Sequence, residues 1–262
     1  MVSSDRILKS LTFPIQYLEI GEALARELHQ DVEALYRYCG IDLPRPFMPW
    51  QTINGVQMQR ALVHFMKQCP PGPPPLVTFM AHFPVTTHGP VGMLAITSAT
   101  LGEALQGALK YSTLVMPAYD MRRQDIGDEA HIIIEPRYDF GSVNHFFTET
   151  VVLAPLKITP FLTRPISGVT VYLKHSPMGD PAEYEAAFGV KFVFNARQNK
   201  FVIPRQDLNI PLMTPSRASH LLMKATLEQQ SQARQDTKPT SREIKRRLQT
   251  AIRQKQVLDA DA

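Results

Sequence analysis

Residues 118–135 read Ala-Tyr-Asp-Met-Arg-Arg-Gln-Asp-Ile-Gly-Asp-Glu-Ala-His-Ile-Ile-Ile-Glu. Positions 118–124 form a short alternating stretch, Gly127-Asp128 is a turn pair, and 131–135 is an apolar run. Two such segments around a Gly-Asp turn make a β-hairpin. The hairpin marks a change of pattern. Before it apolar residues recur at helical spacings, and after it short strand signals alternate with helical ones.

Upstream, Tyr17, Ile20, Leu24 and Leu28 repeat at three and four residues and predict a helix. Asp31 can cap a second, with Leu35, Tyr36 and Cys39 on its apolar face and Gly40 at its end. Prolines between 43 and 49 hold an extended connection. A helix follows from about Asn54 to Gln68 and breaks at Cys69-Pro-Pro-Gly-Pro-Pro-Pro. Residues 76–83 and 90–98 are apolar runs that fit a strand or a buried helix. Thr100 and Glu103 have the spacing of a capping box, and the helix they start ends before Pro117.

Downstream, 146–161 reads as a helix shortened or kinked at Pro155. Residues 168–174 alternate as a strand. A compact helix over 181–189 has Pro181 inside its start and Gly189 past its end. Residues 190–195 and 200–204 read as a second hairpin, and 216–235 as a closing helix. The expected fold is α+β: a helical amino-terminal block followed by a small antiparallel sheet built from two hairpins and a single strand with interposed helices.

The 262 residues are 44% hydrophobic and 20% charged, a folding composition that excludes collagen, a simple coiled coil and wholesale disorder. Net charge is +4, and most of it lies in residues 236–262, where seven basic residues face four acidic ones. The near-neutral body does not imply an acidic partner. Two cysteines without C-x-x-C spacing read as small buried hydrophobes. The first ten residues lack the apolar core of a signal peptide, and no uncharged run is long enough to span a bilayer, so a cytoplasmic protein without membrane contact is expected. Ile244, Leu248 and Ile252 give the tail a basic amphipathic helix with a stripe too narrow to stand alone.

No glycine-rich phosphate loop, His-Glu-x-x-His or Gly-x-Ser-x-Gly occurs, and none of the eight histidines pairs at i, i+4 with a second ligand. Asp125, Asp128, Glu129 and Glu135 cluster about the first hairpin, where solvation explains them better than acid–base chemistry. No catalytic residue, metal or cofactor is therefore expected. The candidate ligand-binding residues are His82 and His88, which can meet across a short segment, Tyr111 and Tyr119 about one helix end, Arg122 as an anchor for an anion, and Phe146 and Phe194 as walls of an apolar cavity. Each has a purely structural alternative. Tyrosines and phenylalanines of this kind are commonly core residues, and buried hydroxyls want partners.

Residues 89–105, Gly-Pro-Val-Gly-Met-Leu-Ala-Ile-Thr-Ser-Ala-Thr-Leu-Gly-Glu-Ala-Leu, followed by Ala108, Tyr111 and Pro117, resemble a signature of AraC-type transcriptional regulators. The likeness is to the branch of the ornithine- and arginine-utilisation regulators, not to the cupin-bearing arabinose regulator. Residues 182–194, Ala-Glu-Tyr-Glu-Ala-Ala-Phe-Gly-Val-Lys-Phe-Val-Phe, with 195–201, Asp207-Leu208 and Pro211-Leu212, resemble a second signature. The signature residues Gly89, Pro90, Thr100, Gly102, Glu103, Gly189 and Asn199 have structural readings. Thr100 and Glu103 cap a helix, Gly102 permits close packing, Gly189 closes a helix and Asn199 sits in a turn.

The resemblance covers residues 10–235. It implies that 1–235 is an effector-binding and dimerisation domain and 236–262 a basic linker and the start of a DNA-binding domain. The implied partners are a small apolar or amphipathic effector and a second copy of the chain. Leu221, Leu222, Ala225 and Leu227 on the 216–235 helix are the expected dimer face. Family members carry two helix-turn-helix motifs further on, and this chain reaches Ala262 without a recognition helix. Specific DNA binding is expected only through that missing carboxy-terminal domain. Arg242, Lys245, Arg246 and Arg247 offer phosphate contacts, which position a protein without reading sequence. The competing readings are a stand-alone sensor that modulates a regulator by mixed dimers, and a small-molecule enzyme.

Overall fold

The computed structural model describes residues 4–43 and 45–237. Its first half is helical: α1 Ser4–Ser10, α2 Leu18–Glu27, α3 Val32–Cys39, α4 Gly55–Gln68, α5 Pro75–Ala81, α6 Pro90–Ile96 and α7 Leu101–Val115. A two-stranded ribbon, β1 Thr12–Pro14 against β2 Thr52–Asn54, ties the first helices together. The caps follow from side-chain chemistry. Asp31 accepts the Glu33 N–H at 2.9 Å, and Gly40 ends α3 in the left-handed conformation. Asn54 and Gln57 form a reciprocal capping box on α4.

Both ambiguous apolar runs are helices. Pro75 and Pro90 each occupy the first turn, where their fixed φ suits a helix and no amide hydrogen is missed. Thr100 Oγ1 accepts the Glu103 N–H at 3.2 Å, while the Glu103 carboxylate takes the N–H of Ala99 at 2.6 Å. The capping box on α7 is thus closed one residue early.

The first hairpin stands as read: β3 Tyr119–Ile126 pairs antiparallel with β4 Glu129–Pro136 about Gly127-Asp128. Next come α8 Asn144–Leu153 and a 3-10 segment, Ala154–Phe161, that begins where Pro155 removes an amide hydrogen. Then follow β5 Thr170–Tyr172, α9 Pro181–Phe188, β6 Lys191–Val193 and β7 Lys200–Pro204. The order across the sheet is β3-β4-β7-β5-β6.

This order corrects the second hairpin. β6 runs parallel to β5 after the α9 crossover, and β7 pairs antiparallel with both β4 and β5, so β6 and β7 are not neighbours and the sheet is mixed. The reason lies in the loop between them, which wraps the end of β5 and satisfies its backbone. Ala196 N–H donates to Leu173 O at 2.9 Å, Asn195 N–H to His175 O at 3.1 Å, and the buried Asn199 side chain accepts Lys174 N–H at 2.9 Å. The left-handed residue in this loop is Asn195, at φ 56°, and Asn199 acts through its side chain.

The last described helix, α10 Arg217–Thr237, packs on α6 and α7. Its apolar face divides. Leu227 is core, 1% exposed, whereas Leu221 and Leu222 are 54% and 62% exposed. Among the described residues no helix is long and apolar enough to cross a membrane. The helix expected in the tail, with Arg242, Lys245, Arg246 and Arg247, falls outside the described residues.

Candidate functional site

A cavity of about 120 Å³ lies between the helical block and one face of the sheet. Met58, Leu62 and Phe65 of α4 and Phe79 of α5 form one wall. Val91, Gly92 and Ala95 of α6 meet Ala104, Leu105 and Ala108 of α7 on a second. Met121 of β3 and its neighbours Ile132 and Ile134 of β4 supply the sheet, and Phe147 and Val151 of α8 complete the lining. The space arises from short side chains. Ala104 and Ala108 are four residues apart and share one helix face, and Ala61 and Ala95 also line the cavity. Larger residues at these positions would fill it.

Polar groups in the wall are few. Ser112 and Thr150 spend their hydroxyl hydrogens on carbonyls of their own helices, Leu109 at 2.9 Å and Phe147 at 2.8 Å. Tyr17 and His88 are bonded to each other, hydroxyl to Nδ1, at 2.6 Å. Phe83 stacks on Tyr17 and meets the His88 ring edge-on. Burial pushes the imidazole down to about 4 and the Tyr17 phenol upward, so both are neutral at physiological pH. No aspartate, glutamate, lysine or arginine is among the lining residues.

Two signature residues shape this corner. Gly89 follows His88 with φ 56° and ψ −132°, a conformation that suits glycine, and Pro90 then starts α6. Three others, Thr100, Gly102 and Glu103, border an open polar cleft with Arg123, Asp128 and Arg205 on the outside of the domain.

Of the seven candidate ligand residues, His88 lines the cavity. His82 goes to a different partner, with Nε2 3.2 Å from a Glu27 carboxylate oxygen. Tyr111 donates to Glu228 at 3.3 Å, and Tyr119 pairs with Thr148 at 3.2 Å. Arg122 is exposed next to Met121, and strand alternation turns it away from the cavity. Phe146 packs against Phe65 and Phe79, and Phe194 against Tyr184 and Phe192. Tyr17 and the alanines of α7 were missed. The only signal for them was one tyrosine in an apolar helical stripe and small residues at i, i+4, both of which also describe an ordinary core.

A second buried polar cluster lies elsewhere. Glu149 of α8 has no exposed surface and accepts the Tyr184 hydroxyl at 3.1 Å. His175 Nε2 is 3.8 Å from the same carboxyl, and the His145 ring stacks on His175 at 4.4 Å. The Ser176 carbonyl, 2.8 Å from His175 Nδ1, takes its hydrogen and leaves Nε2 unprotonated. Burial pushes the Glu149 carboxyl up to about 8 and lowers His175. Among the described residues no group of three or more metal-ligating side chains is assembled.

Comparison with known proteins places this architecture. The family described as the amino-terminal arabinose-binding domain of AraC transcription regulators matches residues 30–212. An ornithine utilization regulator of Pseudomonas aeruginosa is 27% identical over 129 residues, 49% of this chain and 38% of that protein. The crystal structure of the transcriptional regulator CdpR from Pseudomonas aeruginosa shares the fold at a TM-score of 0.51 and 17% identity, over 74% of this chain and 60% of that one. The chain therefore spans less than two thirds of either protein's length.

Proposed function

The chain belongs to the AraC transcription regulators through its amino-terminal ligand-binding regulatory domain, and from that premise we propose that residues 1–235 sense a small apolar or amphipathic molecule in the cavity beside Tyr17 and His88. Such a domain regulates and does not catalyse. One observation carries the reading: the cavity walls α6 and α7 are the helices on which α10 rests. Lys110 of α7 pairs with Glu228 at 3.3 Å, and Glu103 lies 3.5 Å from His220. A ligand that parts α7 from α4 also moves the seat of α10, the element leading into the basic tail. Its differential affinity for two such arrangements would shift their populations and so the geometry of attached DNA-binding domains. In this reading α10 also joins two copies through Leu221 and Leu222, and DNA is read by a carboxy-terminal domain beyond residue 262.

The test is a transcription reporter driven by the full-length regulator. Ala108→Leu, which fills the cavity, should abolish the response to effector while regulator abundance is unchanged. A response that survives filling would place the effector elsewhere.

A further inference from the structure

Resting on the reading of this cavity as the effector site, we propose that it admits only an uncharged ligand with a hydrocarbon body of about one ring, whose single hydroxyl or carbonyl is engaged by the Tyr17–His88 pair. A charged amino acid such as ornithine and a polyhydroxylated sugar such as arabinose would then be excluded.

The charge rule follows from the wall. A zwitterion such as ornithine brings ammonium groups and a carboxylate, and no lining side chain carries a countercharge. A buried ion without a partner forfeits its hydration with nothing in return. Two charged residues that adjoin the lining along the chain are committed elsewhere. Lys157 Nζ donates to the Met80 carbonyl at 2.8 Å, and Glu149, though on the same helix as Phe147 and Val151, faces Tyr184. His88 stays neutral at physiological pH because burial holds it near 4.

The polar rule follows from counting hydrogens. A neutral imidazole and a phenol carry one N–H and one O–H, and the bond between them at 2.6 Å consumes one of these. Whichever partner donates, one donor is left. Ser112 and Thr150 have already given their hydrogens to backbone carbonyls. The side chains of the wall can thus give one hydrogen to a ligand oxygen, with Ser112 and Thr150 left as acceptors only, whereas a sugar would bury more hydroxyls than these few groups can pair. Size follows from volume: a cavity of about 120 Å³ is close to engineered apolar cavities of about 150 Å³ that bind benzene.

Four probes of one shape test this on the 262-residue chain by calorimetry: toluene, benzyl alcohol, benzoate and benzylamine, with ornithine as a fifth. Benzyl alcohol should bind at least about a hundredfold more tightly than benzoate, benzylamine or ornithine. The double variant Tyr17→Phe with His88→Phe should reduce the preference for benzyl alcohol over toluene by roughly tenfold, because the ligand hydroxyl then has no partner. Ala104→Leu and Ala108→Leu should each abolish binding. The charge selectivity is read on the unaltered chain and does not depend on any variant folding. A charged probe that binds as tightly as benzyl alcohol, and is lost on filling, overturns the selectivity and leaves the cavity as the effector site. Failure of every probe, or binding indifferent to filling, overturns the site and the selectivity with it.

Discussion

Glu149 shows how one residue can make stability depend on pH. Its carboxyl is wholly buried, faces the unprotonated Nε2 of His175, and is raised from 4.5 to about 8. The folded state therefore keeps a proton that the unfolded chain releases near 4.5. The contribution to stability is complete below that pH and is lost as pH rises through about 8. Glu149→Gln keeps a neutral group of the same shape and removes the titration. Urea unfolding at a series of pH values should show wild type losing stability relative to this variant as pH climbs through that window. Parallel curves for the two proteins would mean that Glu149 is ionised in the folded state.

At the scale of elements, the contacts of α6 position the cavity. A Cβ at Gly92 would lie 2.1 Å from the carbonyl oxygen of Val85, in the turn that carries His88. Backbone cannot yield there as a side-chain tip can. Gly92→Ala should cost at least about 2 kcal/mol in urea unfolding by pushing this turn from α6. The outer surface of α6 and α7 is covered by α10, anchored by Leu227. Leu227→Ala should cost about 3 kcal/mol, as a lost core side chain does. Leu222→Ala, measured in dilute protein, should change stability by no more than about 0.5 kcal/mol, because Leu222 is solvated within one copy.

For the whole molecule, assembly and DNA binding are separable. The exposed Leu221 and Leu222 adjoin Ala218 and Ala225 at helical spacing, a stripe suited to a twofold contact. Sedimentation equilibrium should find a dimer at micromolar concentration. Leu221→Asp with Leu222→Asp should give a folded monomer, and a wild-type monomer well above micromolar would refute the pairing. On DNA, the 262-residue chain should bind weakly, without sequence preference, and lose binding at moderate salt, because phosphate contacts alone carry no base information. Fluorescence anisotropy with an operator fragment and a scrambled duplex at two salt concentrations reads this directly. Salt-resistant discrimination would place a base-reading surface within this chain.

The sequence by itself determined what is local. Asp31 and Gly40 bracket α3, Thr100 starts α7, Gly127-Asp128 turns the first hairpin, and Pro181 and Gly189 bound α9, because each depends on a side chain and the backbone a few residues away. It also carried the family signatures, and with them the expectation of an effector-binding domain. Only the tertiary structure decided partners distant along the chain. β6 turned from β7 to lie parallel to β5 because the end of β5 offered backbone groups that the 195–199 loop could satisfy, a gain invisible from either strand alone. His88 left His82 for Tyr17, 71 residues away, and alanines that look like core became the wall of a void. A cavity is made by what several elements fail to fill together, so no residue could announce it before those elements were packed.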